Sequence, residues 1–502
     1  MSDYGILSII PPSLSILLAV TTRNIMLSLT AGAFSGCLIL TGFNPFFAIA
    51  ELVEDHIFIQ ITSGSNAQII IIMFAIGGFI HLLDKSGGAK AFSTVMTRFI
   101  SNAKRAQLAA WTAGICVFFT DSGNALIVGP LFKPVFKQLK VCREKLAYII
   151  DTTASPVSIL VPFISWGIYI MNLIENTYGD VGIEGEPFQV LLSVWPYQFY
   201  AFLALLSIPM ILSTGKDYGP MARAQANYNK ELHNDPDEQL KTDIPSDIPE
   251  KENLSAVLLP LGILLATMAI YMGYFVMTEG VKSIHMRGGI LTAYIFAAVA
   301  CAYLMKKQKN QPYNETFNEY VKGMQNLVFI CLLLVLAWSL SSICKELKTG
   351  YYIAAIIGDS ISPSFIPLIV FSIGAVMSFA TGSSYGTFAI LLIIVIPVAY
   401  TLNAPLELTI AAVLSGGLFG DHTSPISDTT VLASMGADCP HIDHVTTQFS
   451  YALIPGTMTF MTFLVSGFYQ SPYIIFAMII CQFIVIKTIM RVFGTTNGLL
   501  IK

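Results

Sequence analysis

Four aspartates stand in or beside apolar stretches of this sequence, where a charged side chain is costly. They are Asp121, Asp151, Asp421 and Asp428. An ionised Asp at the centre of a bilayer costs about 2.5–3.5 kcal/mol on insertion scales, so such residues usually bind or transfer something. The alternative is structural, because an Asp beside a Ser-Pro pair can simply cap the helix that follows. We favour binding most strongly for Asp421, which lies inside Gly-Asp-His-Thr-Ser-Pro.

Hydroxyl and amide side chains accompany these aspartates in two segments. Such groups, with carbonyls released by a broken helix, form an oxygen-rich site that suits Na⁺ better than a soft metal. The candidate ion- or substrate-binding residues are Asp121, Ser122, Asn124, Asp151, Thr152, Thr153, Ser155, Thr381, Ser383, Ser384, Thr387, Asp421, His422, Thr423, Ser424 and Asp428. Among them, the candidate Na⁺ ligands are Asp421, Ser424, Asp151 and Ser155.

A buried carboxyl group of this kind can exchange ions. Loss of hydration disfavours its charged form, so that near neutral pH it holds either a proton or a cation, but not both. This competition is the simplest physical basis for cation/proton exchange. His422 adjoins Asp421 and either tunes the pH response or only bonds the backbone. The run from Thr381 to Thr387 either coordinates an ion or substrate or forms a tight turn, since its glycines permit unusual φ values.

The two histidines of Cys439-Pro-His-Ile-Asp-His raise the question of a transition-metal site. Their His-x-x-His spacing is common by chance, and no fourth ligand is evident. We therefore expect His441 and His444 to make loop contacts at the cytoplasmic face. The eight cysteines form no Cys-x-x-Cys pair, so we predict neither a disulfide nor a thiolate metal site, and no cofactor.

Composition places these residues in a membrane protein. The 502 residues are 54% hydrophobic and 12% charged, against roughly 25% charged in soluble proteins. Apolar runs recur at about the length needed to cross the hydrocarbon core. We predict an all-α polytopic fold of about 11–14 transmembrane or re-entrant segments. The net charge of −4 gives no reason to expect a nucleic-acid partner.

Two of the apolar segments, 107–136 and 406–435, are interrupted by polar residues and should contain broken helices or hairpins. Unwound backbone at membrane depth survives only where protein or water satisfies its amides. The one long polar stretch, 214–253, predicts a linker between an N-terminal membrane half (1–213) and a C-terminal half (254–502).

Lysine and arginine predict the orientation in an inner, or cell, membrane. Loops 84–106, 133–145 and 306–322 are basic, whereas loops 43–66 and 173–188 are acidic. Basic loops should be cytoplasmic, which places the linker and the C-terminus inside. With these signs, the similar motifs Asp151…Ser155-Pro156 and Asp421…Ser424-Pro425 enter the membrane from opposite faces. The sequence thus predicts two inverted repeats with the site at their interface.

Three segments resemble the NhaC-type Na⁺/H⁺ antiporters of the ion-transporter superfamily. They are FGDHTSPISDTTVLASMGADCPHIDHVTTQFSYALIP from Phe419, NALIVGPLFKP with REKLAYIIDTTASPVSILVPFISW (124–134 and 143–166), and TGSSYGTFAI (381–390). The matching regions span most of 107–172 and 375–457. The resemblance implies a scaffold with a moving transport domain, often in a homodimer, and transport of small cations. The family also includes exchangers of organic acids.

We therefore expect a secondary transporter that exports cytoplasmic Na⁺ in exchange for H⁺. The alternative is a Na⁺- or H⁺-coupled exchanger of a small organic acid or amino acid, since helix N-termini beside Thr381–Thr387 could receive a carboxylate. An intramembrane aspartyl protease is disfavoured, because GLFGD at 417–421 is not Gly-x-Gly-Asp. We expect no enzyme activity.

Overall fold

The computed structural model describes residues 4–87, 100–119, 121–234, 255–278, 283–357 and 361–495. Within these ranges the regular structure is helical, and the β pairing is limited to an isolated bridge between Asp217 and Thr495. The predicted all-α class is therefore confirmed.

The helices that precede residue 235 include several short or bent elements. One of them begins at Pro45, and the Asn44 side chain caps its first turn. They are α1 (Ile10–Thr22), α2 (Ile25–Leu40), α3 (Pro45–Glu51), α4 (Phe58–Thr62), α5 (Gly64–Lys85), α6 (Ala103–Cys116), α7 (Asp121–Gln138), α8 (Arg143–Thr152), α9 (Ser155–Ser158), α10 (Ser165–Val181), α11 (Pro187–Val194), α12 (Phe199–Thr214) and α13 (Gly219–Asn234).

The helices of the remaining chain are mostly longer. They are α14 (Ser255–Thr278), α15 (Ser283–Lys309), α16 (Tyr313–Asn326), α17 (Val328–Glu346), α18 (Thr349–Ile357), α19 (Ile366–Thr381), α20 (Ser384–Thr401), α21 (Leu406–Thr423), α22 (Asp428–Ala437), α23 (His441–Tyr469) and α24 (Ile474–Val492).

Nine spans in the described part of the chain are long and apolar enough to cross a bilayer, and two bent helix pairs raise the number to eleven if each pair is one span. The first pair, Ile25–Leu40 with Pro45–Thr62, bends by 115°, and the second, Pro187–Tyr197 with Phe199–Thr214, bends by 45°. The prediction of a multi-pass membrane protein is confirmed. The inverted repeats stay a prediction.

Both predicted helix breaks are present. Helix α6 ends at Cys116 and α7 begins at Asp121, while α21 ends at Thr423 and α22 begins at Asp428. Pro425 has no amide hydrogen to donate, and the Ser424 hydroxyl accepts a hydrogen bond from the Ile426 amide at 3.3 Å. Local side-chain bonding thus replaces helical bonding in the second break.

The first part of the predicted linker is folded. Helix α13 carries the buried Gln225, whose side-chain amide donates to the Lys140 carbonyl at 2.9 Å and accepts from the Cys142 amide at 3.2 Å. These bonds attach α13 to the turn between α7 and α8. Residues 235–254 lie outside the described residues, and the division of the chain into two halves stays a prediction.

A buried ion pair holds the first turn of α8 in place. The Lys145 ammonium lies 2.5 Å from a carboxylate oxygen of Asp217, with side chains only 8% and 11% exposed. The Tyr451 hydroxyl donates to the other carboxylate oxygen at 2.8 Å. Helices α8 and α23 are therefore joined through the loop that follows α12.

We expect Lys145→Met to destabilise the purified protein strongly, since it leaves the Asp217 carboxylate buried without its cation. Breaking one partner of a buried pair costs about 3–5 kcal/mol. The measurement is the midpoint of thermal unfolding in detergent. Lys133→Met is the matched control, because its pair with Asp438 at 2.6 Å has side chains 49% and 67% exposed and should contribute less than about 1 kcal/mol. Equal midpoints for the two variants would contradict this prediction.

Candidate functional site

A cavity of about 600 Å³ lies between both broken regions, and three of the four aspartates line it. Asp121 enters from the start of α7, Asp421 from the last turn of α21 and Asp428 from the start of α22. The remaining polar lining residues are His81, Asp84, Lys85, Ser165, Trp166, Asn326, Ser383, Ser384, Tyr385, Ser427 and Thr429. The cavity lining is therefore rich in oxygen ligands and includes a lysine.

Asp421 is held at the edge of this cavity by the turn between α19 and α20. The Ser384 hydroxyl donates to one Asp421 carboxylate oxygen at 2.9 Å and lies 3.3 Å from the Gly417 carbonyl. Gly382 in that turn has a φ of +65°, and a Cβ there would lie 2.7 Å from the Ile426 carbonyl oxygen. Only glycine allows the turn to pass this close to the break between α21 and α22.

Asp121 is oriented by an aromatic side chain. The Trp166 indole donates to a carboxylate oxygen of Asp121 at 3.0 Å, and its ring packs against that of Tyr385 with centroids 4.7 Å apart. Asp121 and Asp421 line the same cavity. Two like charges that share a cavity favour a state in which a proton or a cation neutralises one of them.

Asp151 does not line the cavity but belongs to a second, fully buried polar cluster. One of its carboxylate oxygens accepts from the Thr430 hydroxyl at 3.0 Å and from the Gln448 side-chain amide at 2.5 Å. The Nε2 atom of His444 lies 3.5 Å from the same oxygen. The other oxygen of Asp151 has no hydrogen-bond partner among the described residues. The cluster thus joins α8, α22 and α23 around one carboxylate.

His422 connects the cluster to the cavity, because it follows Asp421 directly in α21. Its ring nitrogens lie 2.7 Å from the Tyr200 hydroxyl and 3.1 Å from the Thr152 hydroxyl. Its backbone carbonyl accepts a second bond from the Gln448 amide at 2.5 Å. The last turn of α21 therefore presents Asp421 to the cavity and His422 to the buried cluster.

Asn124 contacts both helix α6 and the turn between α8 and α9. Its side-chain amide donates to the Thr153 hydroxyl at 3.1 Å and to the Gly114 carbonyl at 3.3 Å. The Thr153 hydroxyl in turn donates to the Ile149 carbonyl at 2.7 Å. Asn124 and Thr153 thus hold α6, α7 and α8 together.

Like Thr153, four further predicted hydroxyl residues bond the backbone. Ser424 donates to the Phe379 carbonyl at 2.7 Å, Thr423 to the Phe419 carbonyl at 2.7 Å and Thr387 to the Ser383 carbonyl at 2.9 Å. Thr381 makes a weaker bond to Ser378 at 3.5 Å. Thr381 ends α19 and Thr387 lies in the first turn of α20, while Ser383 and Ser384 line the cavity.

The predicted Na⁺ ligands are distributed between the two environments. Asp421 lines the cavity, whereas Asp151 lies in the buried cluster and Ser424 bonds the backbone. The Ser155 hydroxyl is buried without a hydrogen-bond partner among the described residues. The side chain of Ser122 lies outside the described part. Whether these residues bind ions stays a prediction.

Several residues of the site escaped prediction from the sequence. Trp166, Tyr200, Thr430 and Gln448 contact the predicted aspartates or His422 directly. His444 is wholly buried beside Asp151, so the expectation of a loop contact is wrong for it. The spacing of His441, His444 and Gln448 at i, i+3 and i+7 on α23 places them on one helix face, which is a signal that could have identified them.

A cluster of charged side chains lies on the surface at the C-terminal end of α22. The Lys133 ammonium lies 2.6 Å from the Asp438 carboxylate and, by donating a hydrogen bond to it, holds the pKa of that carboxyl below its usual value. The Arg143 guanidinium donates to the Asp438 backbone carbonyl at 3.2 Å. Asp438 thus ends α22 and ties it to α7 and α8.

Broken helices that bring carboxylates to an internal cavity are the architecture of secondary transporters, and comparison with known proteins agrees. The chain belongs to the Na⁺/H⁺ antiporter family, whose model matches residues 157–468. The resemblance to these antiporters drawn from the sequence is thus confirmed, and the protein is a membrane transporter.

The relatives differ in how much of the chain they match. An uncharacterized protein of Haemophilus influenzae is 32% identical over 92% of this chain and 91% of its own length. The malate-2H⁺/Na⁺-lactate antiporter of Bacillus subtilis is 32% identical over 35% of this chain and 37% of its own. The crystal structure of the YdaH transporter of Alcanivorax borkumensis has a TM-score of 0.51 at 14% identity and covers 85% of this chain and 89% of its own. That structure shares the fold.

We expect Gly436→Ala to prevent α22 from docking on α7. A Cβ at Gly436 would lie 2.3 Å from the Ala125 carbonyl oxygen, and inserting an atom into such a contact costs about 1–3 kcal/mol or more. Because α22 carries Thr430 to Asp151, the thermal midpoint should fall. Gly262→Ala is the control, since a Cβ there meets no atom within 4 Å. If both variants unfold at the wild-type temperature, helices α22 and α7 do not pack as closely as described.

Proposed function

We propose that this transporter exports cytoplasmic Na⁺ in exchange for H⁺. The observation that carries the proposal is the nearly buried Asp421, 5% exposed, which accepts a hydrogen bond from Ser384 and faces Asp121 across an internal cavity. The direction of transport rests on the orientation predicted from lysine and arginine.

In the proposed cycle Na⁺ and a proton occupy the cavity carboxylates in turn. A Na⁺ ion between Asp121 and Asp421 neutralises their mutual repulsion and replaces its hydration with carboxylate and hydroxyl oxygens. A proton on one carboxyl group removes the same charge and releases the ion. The cavity then carries the same net charge with Na⁺ bound as with a proton bound, so that neither state adds a buried charge, which the bilayer would disfavour.

Asp151 has a different part in this proposal. Its hydrogen bonds from Thr430 and Gln448 hold α22 and α23 against the break that follows α8. The second Asp151 oxygen has no hydrogen-bond partner among the described residues, and His444 Nε2 lies 3.5 Å from the first. We infer that the cluster positions His422, and through it Asp421, rather than binding Na⁺ directly.

We expect purified wild-type protein in proteoliposomes to move protons when Na⁺ is added, and Asp421→Asn to reduce this exchange at least about tenfold, a loss of about 1.4 kcal/mol of interaction. Asparagine keeps the shape but cannot exchange a proton for a cation. A pH-sensitive dye inside the vesicles reports the flux.

The control for this experiment is Asp438→Asn, which removes the same charge from an exposed loop. Asparagine also tolerates the left-handed φ of 55° at this helix end. Its exchange should equal that of the wild type. The proposal fails if the wild type gives no Na⁺-dependent signal, or if the two variants behave alike at equal incorporation.

A second candidate function is the coupled exchange of a small organic acid. Two observations favour it: the cavity of about 600 Å³ is far larger than a single ion needs, and Lys85 lines it. A lysine ammonium is a suitable partner for a carboxylate. The similarity to a malate-2H⁺/Na⁺-lactate antiporter also supports this alternative.

Radiolabelled lactate and malate in proteoliposomes test the second function. If it is correct, either label accumulates only with a Na⁺ or H⁺ gradient, and Lys85→Gln lowers the uptake. Lys322→Gln is the control, because Lys322 pairs with Glu319 at 2.6 Å and is 60% exposed. Absence of uptake by a protein that still exchanges Na⁺ for H⁺ would reject this alternative.

A further inference from the structure

A cluster of three metal-binding side chains lies apart from the cavity. One carboxylate oxygen each of Glu51 and Glu346 and one ring nitrogen of His56 lie within 4.8 Å of one another. Among the described residues, no other group of His, Cys, Asp and Glu meets this condition. Glu51 ends α3 and Glu346 ends α17, so the cluster joins the first bent helix pair to a helix from the other half of the chain.

The local fold turns His56 inward. Residues Leu52–Ile57 form a π-helical turn between α3 and α4, an irregularity that recurs at functional sites. The His56 side chain is 1% exposed although its neighbours Glu54 and Asp55 face outward. A fully buried imidazole in an acidic segment calls for a partner that compensates its lost hydration.

That partner is lacking on one side of the ring. The Nδ1 atom of His56 lies 3.2 Å from the Ser342 hydroxyl, whereas the buried Nε2 atom has no hydrogen-bond partner in the described part of the chain. Buried nitrogens are rarely left without a partner, and an ion is one common explanation. A metal-binding histidine ordinarily uses its second nitrogen for such a supporting bond, which is the arrangement with Ser342.

We propose that Glu51, His56 and Glu346 bind a divalent transition-metal ion, for which Zn²⁺ is the best probe. Zn²⁺ accepts imidazole nitrogen and carboxylate oxygen at about 2.0–2.2 Å and leaves a fourth position for water. Asp55, which precedes His56 in the chain, adds a further negative charge to this segment.

A bound ion would restrain a helix that also borders the cavity. Helix α17 has 19 residues, about 28 Å at 1.5 Å per residue. Its first turn contributes Phe329 and Ile330 to the cavity lining, and its last residue is Glu346. An ion that ties Glu346 to the π-helical turn therefore opposes any movement of α17 relative to the bent helix pair. This consequence, unlike the metal site itself, rests on the proposed function.

Equilibrium dialysis of the purified full-length protein against Zn²⁺, with metal content measured by mass spectrometry, tests the site. The wild type should bind one Zn²⁺ ion per chain, with a higher affinity than either variant shows. Glu346→Gln and Glu51→Gln should each weaken this binding at least about tenfold, since each removes one ligand charge.

Glu54→Gln is the matched control, because it removes an equal charge from the exposed face of the same segment and should bind like the wild type. Both substitutions at the cluster are isosteric, and an unchanged thermal midpoint without metal establishes that they fold. Binding by Glu346→Gln at wild-type affinity, or loss of binding in Glu54→Gln to the same extent, would overturn the proposal, as would absence of Zn²⁺ from the wild type.

The transport consequence has its own readout. Zn²⁺ added to wild-type proteoliposomes should slow exchange severalfold, and Glu346→Gln should be resistant while its exchange without Zn²⁺ stays unchanged. If dialysis shows the site and exchange is insensitive to Zn²⁺, the restraint on α17 is wrong and the metal site stands. If no exchange occurs at all, the proposed function fails independently of the dialysis result.

Discussion

The absence of water from the bilayer core is the constraint on which this structure depends. A helix that unwinds there exposes amides and carbonyls that lipid cannot satisfy, so each break must find its partners within the protein. In the second half of the chain, the turn between α19 and α20 packs against the break between α21 and α22. Ser424 reaches the Phe379 carbonyl, and the turn at Gly382 passes directly over Ile426. The site is therefore a consequence of how the breaks satisfy one another.

The same constraint explains why the polar residues divide into two environments. Asp421 and Asp121 face a cavity in which an ion or a proton can compensate their charge. Asp151 does not line this cavity, and one of its oxygens accepts hydrogen bonds from Thr430 and Gln448. A carboxylate with fixed donors is a poor exchanger, because its partners must be displaced before an ion can bind. In the proposed function, the cavity aspartates therefore exchange ions and the buried one positions them.

The sequence could predict those features that depend on neighbours along the chain. Polar residues and prolines within apolar runs identify both breaks, and the surroundings of Asp421 identify it as a site residue. It could not predict partners that are far apart in sequence. Gln448 and Trp166 reach Asp151 and Asp121 only after the helices have packed. Nor does a hydroxyl near an Asp reveal whether it faces that Asp or the backbone, which is why Ser424 and Thr423 resemble ion ligands in the sequence.

Adjacent positions on the last turn of α21 belong to the two environments. The hydrogen bonds that Tyr200 and Thr152 make with the His422 ring restrain the turn that also carries Asp421. The Gln448 amide adds a further restraint, since it bonds the His422 carbonyl and the Asp151 carboxylate together. In the proposed function, a change of charge on Asp151 would alter its hydrogen bond with Gln448 and, through the same amide, the bond to the His422 carbonyl. The buried cluster would then influence the cavity through this shared amide group.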